Sequence, residues 1–303
     1  NTALRFTDDG PDGTTIVNNT IYEPNADGVR TSGGHHDLTL RNNIIWTQNG
    51  HYGIRVADNS QAGFSSDFNL LYATNGGIIG YWQGDRTDPT RWRFATFQDA
   101  WSLSTDPEFV DVDGGDDVLG STVATPDGGD DDNFHLSSTT GSYRVAGPDA
   151  GTFQPDAIQS PAIDRGDDAD AFDSEPAPNG DFINIGAYGN TGTASKSPSE
   201  YILLLRPEGG TRLPQDTNAE VRWRSDGFTG DVDLQYQVDG GVWTDLATGE
   251  TNDGAYDWYL DPALFPVDDA YRLRVVYEDP GDADTTIDVE GRSATFEVVP
   301  PIR

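Results

Sequence analysis

The sequence predicts an all-β chain in two parts, a parallel solenoid of stacked coils followed by an antiparallel β-sandwich. Three observations carry that prediction. The 303 residues include 42 Asp, 35 Gly and 18 Pro, which favour turns and disfavour helix interiors, while 35% hydrophobic and 11% aromatic residues suffice for a core. The tetrapeptides Ala3-Leu4-Arg5-Phe6, Gly28-Val29-Arg30-Thr31, Gly53-Ile54-Arg55-Val56 and Ile78-Ile79-Gly80-Tyr81 recur at a spacing of 25 residues. After the polar stretch Thr191 to Glu200 this repeat gives way to short alternating strands separated by turn signals.

In the repeat, Leu4, Val29, Ile54 and Ile79 form one apolar column, and Phe6, Thr31, Val56 and Tyr81 form a second, two residues on. Alternation points both columns at a core and turns Arg5, Arg30 and Arg55 outward, the arginine column stopping at Gly80. A second register aligns Asn18-Asn19-Thr20-Ile21-Tyr22, Asn42-Asn43-Ile44-Ile45-Trp46 and Phe68-Asn69-Leu70-Leu71-Tyr72 with spacings of 24 and 26. It gives a column of Asn19, Asn43 and Asn69, a residue type that tolerates the left-handed backbone of tight turns and can hydrogen-bond copy to copy. It also gives an aromatic column of Tyr22, Trp46 and Tyr72. A coil of about 25 residues cannot bury its apolar face alone, so the coils must stack. Beyond them Asp88 is placed to cap a short helix with Pro89 at its first position, running on through Ala100. Its Trp92, Phe94 and Phe97, with Trp101, are placed to cover an exposed side of the solenoid. Residues 111 to 133 read as an acidic, Gly-rich loop between strand-like flanks.

The stretches "DGVRTSGGHHDLTLRNNIIW" and "YGIRVADNSQAGFSSDFNLLY" resemble the right-handed parallel β-helix, or pectin-lyase-like, superfamily. The segment "SPAIDRGDDADAFDSEPAPNGDFINIGAYGNTGTASKS" resembles the closing segment of secreted bacterial right-handed β-helix repeat proteins. The resemblance covers residues 1–197, taken as the first domain. It implies a fold more than an activity, since that fold hosts pectate and alginate lyases, hydrolases, epimerases and noncatalytic surface proteins.

Residues 198–303 are taken as the second domain. Seven strands are expected there, over Tyr201 to Leu205, Ala219 to Arg224, Val232 to Val238, Val242 to Leu246, Tyr256 to Leu260, Tyr271 to Tyr277 and Ser293 to Val299. The run from Arg206 to Asp261 resembles immunoglobulin-like modules of extracellular proteins, with Trp223 as the buried core tryptophan. The resemblance brings no functional residue with it.

Net charge is −34, with 52 acidic against 18 basic residues, which argues against general attraction to nucleic acid or an anionic bilayer. The acid is shared, −21 in residues 1–200 and −13 in residues 201–303, so it is no property of one binding face. There is no apolar run long enough to span a membrane. With no Cys, thiol nucleophiles and Cys-zinc sites are ruled out. The chain begins with Asn1 and no leader pattern follows, which reads as a processed or excerpted chain.

The candidate site follows from the repeat. Guanidiniums stacked on one outward face, about 4.8 Å apart by strand spacing, repel unless anions intervene, and their paired donors suit uronate carboxylates. The alternative is neutralisation by Asp8, Asp27 and Asp58, nearby in the repeat register. Trp82, on the next rung, is placed to stack on a sugar ring, while Tyr81 reads as core. His35, His36 and His51 lie on turns near the arginine face, where His51 could serve a ligand or a proton transfer; none shares a metal-ligand spacing with another.

Asp111, Asp113 and Asp116 begin like a calcium loop, yet Gly115, Asp116 and Thr122 break the helix-loop-helix template, leaving Ca²⁺ and a solvated acidic loop as alternatives. The expected function is binding of extracellular polysaccharide by a secreted or cell-surface protein on the outward solenoid face. The alternatives are a Ca²⁺-dependent polyuronate lyase or epimerase, and a purely structural or adhesive protein.

Overall fold

The computed structural model describes residues 2–7, 13–120, 128–281 and 286–301, so Asp8 and Thr122 lie outside the described residues. The chain divides into two compact units, Asn1–Pro198 and Ser199–Arg303. Among the described residues the only α-helix is eight residues long, and no helix is long and apolar enough to cross a membrane.

The first unit opens as a β-solenoid of about three turns, in which each coil contributes one strand to each of three parallel sheets. One sheet joins β1 (Thr2–Phe6), β4 (Asp27–Thr31), β7 (Tyr52–Val56) and β10 (Ile78–Tyr81), with β11 (Asp85–Arg86) added antiparallel at its end. The second stacks β2 (Thr15–Val17), β5 (Thr39–Arg41) and β8 (Ser65–Asp67), and the third β3 (Thr20–Glu23), β6 (Ile44–Thr47) and β9 (Leu70–Ala73). Inward side chains from all three, among them Ile16, Val29, Leu40, Ile45, Ile54 and Leu71, make one core.

The asparagine column is a directional hydrogen-bond ladder. The Asn19 backbone N–H and Nδ2 both donate to Asn43 Oδ1 at 3.0 and 3.2 Å, and Asn43 repeats this to Asn69 Oδ1 at 2.9 and 3.0 Å. The turn these residues serve places its positive φ one residue earlier, at Asn18, Asn42 and Phe68. On the far side of the third sheet Tyr22 stacks on Trp46 at 4.3 Å and Trp46 lies 5.2 Å from Tyr72.

The register corrects one expectation. Val29 pairs with Ile54 as the 25-residue period requires, but Ile54 pairs with Gly80 and Arg55 with Tyr81, because the third coil is one residue longer. The extra residue lies between β7 and β8, where Asp58–Ser60 forms a 3-10 turn. Gly80 therefore occupies an inward position. A Cβ there would come within 2.3 Å of the Trp92 ring, so its absence admits the indole.

Trp92 comes from α1 (Pro89–Thr96), whose N-cap Asp88 accepts the Arg91 N–H. The helix stops at Thr96 because Phe97 turns left-handed and its N–H returns to the Arg93 carbonyl. Of the aromatics expected to cover the solenoid, Trp92 is fully buried, whereas Phe94 and Phe97 are 82% and 87% exposed.

Residues beyond α1 fold back over the outside of the β3–β6–β9 sheet. Ile44 and Leu70, pointing out of that sheet, are buried against Leu103, Leu136, Ala162, Ile163 and Ile185. This layer contains the short pairs β12 (Phe109–Asp111) with β13 (Asn133–Leu136) and β14 (Ser142–Tyr143) with β15 (Phe153–Gln154). Arg41 clamps it through a bidentate pair with Asp170 at 2.8 and 2.9 Å. The outward side chains of the β1–β4–β7–β10 sheet are left at the surface, and this places the candidate site.

In the second unit, β16 (Tyr201–Arg206), β18 (Asn218–Asp226) and β21 (Ala255–Tyr259) form an antiparallel sheet. A six-stranded sheet joins β17 (Arg212–Pro214), β19 (Val232–Val238), β20 (Thr244–Glu250), β22 (Asp268–Tyr277), β23 (Val289–Arg292) and β24 (Phe296–Val299); all its pairs are antiparallel except β17 with β24. Both sheets contribute to one core that includes Trp223, Trp258, Tyr271 and Phe296.

Candidate functional site

The outward column of the first sheet is built as an arginine stack. Arg5 pairs with Arg30 and Arg30 with Arg55 in parallel register, and Tyr81 continues the column on the next rung. Alternation produces this directly, since the neighbours Val29, Ile54 and Val56 are wholly buried. None of the three guanidiniums donates a hydrogen bond to a described residue, and neither Arg5 nor Arg30 has a described carboxylate within 4 Å. Unit charges at strand spacing repel by about 1 kcal/mol in bulk water and about 3 kcal/mol at the effective dielectric of a protein surface, so an anion among them is favoured.

Arg55 has the richest surroundings. Its guanidinium carbon lies 5.0 Å from the Tyr52 ring centre and 5.4 Å from that of Tyr81, and the two rings meet edge to face at 6.0 Å. Asp27 stands behind it, 6% exposed, with its carboxylate 3.8 Å from Arg55 Nη1, too long for a hydrogen bond. Asp27 accepts the Tyr52 backbone N–H at 3.1 Å and lies 3.8 Å from His51 Nδ1. Asp85, carried on β11, accepts the Tyr52 hydroxyl at 2.7 Å. Burial first, and then the Asp85 bond and charge, push the Tyr52 phenol above its usual range. The cluster thus offers a cation between two aromatic rings with its hydrogen-bonding capacity unspent.

The structure brings Arg5, Arg30, Arg55 and His51 to this face and sends Trp82 elsewhere. Trp82 packs on the end of the core, 5.6 Å from Phe64 and 6.4 Å from Trp92. The aromatic beside the arginines is Tyr81, expected as core, because the longer third coil moves it onto the arginine rung. Tyr52 and Asp85 were not singled out in the sequence; a tyrosine directly before the Gly-Ile-Arg tetrapeptide was the one available signal. His35 is 2% exposed, stacks on Phe6 at 5.5 Å and belongs to the interior. His36 meets the Asn59 carbonyl at 3.2 Å.

In the acidic loop, Asp116 accepts the Val118 N–H, while Asp131 and Asp132 accept those of Gly115 and Gly120. Partial desolvation and then the neighbouring Asp113 charge push the Asp111 carboxyl upward. Among the described residues no three His, Asp or Glu side chains converge so as to hold a metal ion. A scan against protein-family models finds no match to this chain, and a search of curated proteins finds none either.

Proposed function

We propose that this chain is an extracellular polysaccharide-binding protein, built on a right-handed parallel β-helix of the pectin-lyase-like kind with an immunoglobulin-like β-sandwich after it, and that its arginine face takes carboxylated sugars. The observation that carries this reading is the in-register stack of Arg5, Arg30 and Arg55, whose donors no described residue uses. Carboxylates of a uronate chain would relieve the repulsion and accept those donors, with Tyr52 and Tyr81 available to pack on the sugar rings.

Binding is preferred to lyase or epimerase chemistry because proton abstraction beside a carboxylate needs a base. Burial and then Asp85 raise the pKa of the Tyr52 phenol beside Arg55, which disfavours the phenolate a base would need. His51, 3.8 Å from Asp27, is the group through which a lyase reading would have to run.

Affinity electrophoresis through gels containing alginate or polygalacturonate tests the proposal. Charge-assisted bonds contribute about 1.5–3 kcal/mol each, so Arg30→Ala with Arg55→Ala should weaken retention tenfold or more. Unchanged retention would overturn the assignment of the face. Absorbance from unsaturated uronates, absent under the binding reading, would establish the lyase reading, and a chain that no acidic or neutral glycan retards would be a structural or adhesive protein.

A further inference from the structure

The six-stranded sheet of the second unit presents a second unusual face. On β22, Tyr271, Leu273 and Val275 point inward and are wholly buried, which turns Arg272 and Arg274 outward. Arg274 stands directly opposite Arg292 of β23, a like-charge pairing that is unfavourable without a bridge. Glu290 supplies it, with Oε2 3.1 Å from Arg274 Nη1 and Oε1 2.5 Å from Arg292 Nη2. Arg274 is further held through Gln235 Oε1 at 2.8 Å, and Gln235 in turn donates to Asp245. Over this braced pair lies Trp243, its ring centre 4.5 Å from the Arg274 guanidinium carbon and 5.8 Å from that of Arg292.

Two features of this arrangement exceed what folding requires. Trp223 and Trp258 are buried in the core of the unit, whereas Trp243 is left half-exposed beside the 87% exposed Val242. Arg274 is locked, but Arg292 is 53% exposed at its side chain, and among the described residues Arg272 makes a single bond, from Nε to Thr295 Oγ1 at 3.3 Å. The terminal nitrogens of Arg272 meet no described acceptor. In residues 201–303, where acidic residues outnumber basic ones 21 to 8, the unspent terminal nitrogens of Arg272, two residues along β22 from Arg274, and the exposed Arg292 beside the indole suit one kind of anion: flat, apolar on one side and bearing a carboxylate.

We propose that Trp243, Arg272 and Arg292 form a second binding site, for a carboxylated sugar chain, with the indole stacking on a pyranose ring and the two arginines taking carboxylates. The site is separate from the arginine column of the solenoid and stands without it. The test uses the full chain carrying Arg5→Ala, Arg30→Ala and Arg55→Ala, which removes the first face, in affinity gels of polygalacturonate and of its methyl-esterified form.

The expected result is residual retention on polygalacturonate that falls tenfold or more with Trp243→Ala, and likewise with Arg272→Ala plus Arg292→Ala. Trp243→Phe should keep most of the retention, which separates stacking from a folding defect, with circular dichroism confirming that each variant is folded. The arginine variant should leave any retention on the esterified polymer unaltered. Absence of residual retention, or retention indifferent to both sets of substitutions, would overturn the site while leaving the solenoid face standing on its own test.

Discussion

Asn43 shows how one side chain can hold several coils together. Its Oδ1 accepts two donors from Asn19, and its Nδ2 donates to the Ile16 carbonyl at 2.8 Å and to Asn69 Oδ1. Replacement by Ala would leave the part-buried Asn19 backbone N–H without its acceptor and remove the three other bonds of a side chain that is itself wholly buried, an unmade bond there costing about 1–3 kcal/mol. Asn43→Ala should therefore destabilise the solenoid by about 3 kcal/mol in urea unfolding with an unchanged denaturant slope; a loss below about 1 kcal/mol would contradict the ladder. This column was legible in the sequence because stacked coils repeat a residue type at a fixed period. The left-handed residue beside it was not. Periodicity reports which side chains meet, whereas the positive φ falls on Asn18, Asn42 and then Phe68, an aromatic tolerated there while it stacks on Trp101 at 6.3 Å.

At the scale of elements, alternation and period make the parallel strands and their order readable, but a strict 25-residue period misplaces the fourth rung, because one residue inserted between β7 and β8 shifts everything after it. That shift decides the candidate site, exchanging Gly80 for Tyr81 beside Arg55. In the second unit all seven expected strands are found, but β17 and β23 were missed: Pro214 and Gly291 look like turn residues. Gly291 is needed because a Cβ there would approach the Ile202 carbonyl to 2.4 Å. Helix α1 acts as a plug through one residue. Trp92 is wholly buried, fills the space over Gly80 and donates from Nε1 to Asp99 at 2.6 Å, and Asp99 also accepts from Ser66, Asn69 and Ser102, the groups that end the ladder. Trp92→Ala should cost about 3–5 kcal/mol by removing this side chain from the core, while the exposed Phe94→Ala should change stability by less than about 0.5 kcal/mol. Equal effects of the two in thermal and urea unfolding would show that α1 does not plug the solenoid through Trp92.

For the molecule as a whole, two buried groups in the layer over the third sheet set opposing dependences on pH. Glu175 is 5% exposed; its Oε1 accepts the N–H groups of Asn184 and Asn190, but Oε2 has no partner among the described residues, and burial pushes its carboxyl up to about 7 from 4.5. Its folded pKa exceeds the unfolded one, so this contribution is fully present below about pH 4.5 and is lost as pH rises through 7. His135 is 2% exposed, stacked on Tyr188 at 3.5 Å, and pushed down to about 4 from 6.5 by burial and then by Arg144. Its contribution is present above about pH 6.5 and is lost as pH falls through 4. Each displacement corresponds to on the order of 3 kcal/mol. Between about pH 4.5 and 6.5 the two slopes cancel, because the folded state holds the extra proton on Glu175 and the unfolded state holds it on His135. Below that window, down to about pH 4, acid destabilises through His135, and above it, up to about pH 7, base destabilises through Glu175, each limb about half a pH unit wide and on the order of 0.7 kcal/mol deep. Melting temperature followed by circular dichroism should show the plateau with a fall on each side. Glu175→Gln, which keeps the neutral shape, should abolish the fall above pH 6.5 and, with nothing left to offset His135, turn the plateau into a slope, the melting temperature falling continuously from about pH 6.5 to about 4; a plateau or an alkaline limb that survives this substitution would locate its origin elsewhere in the chain.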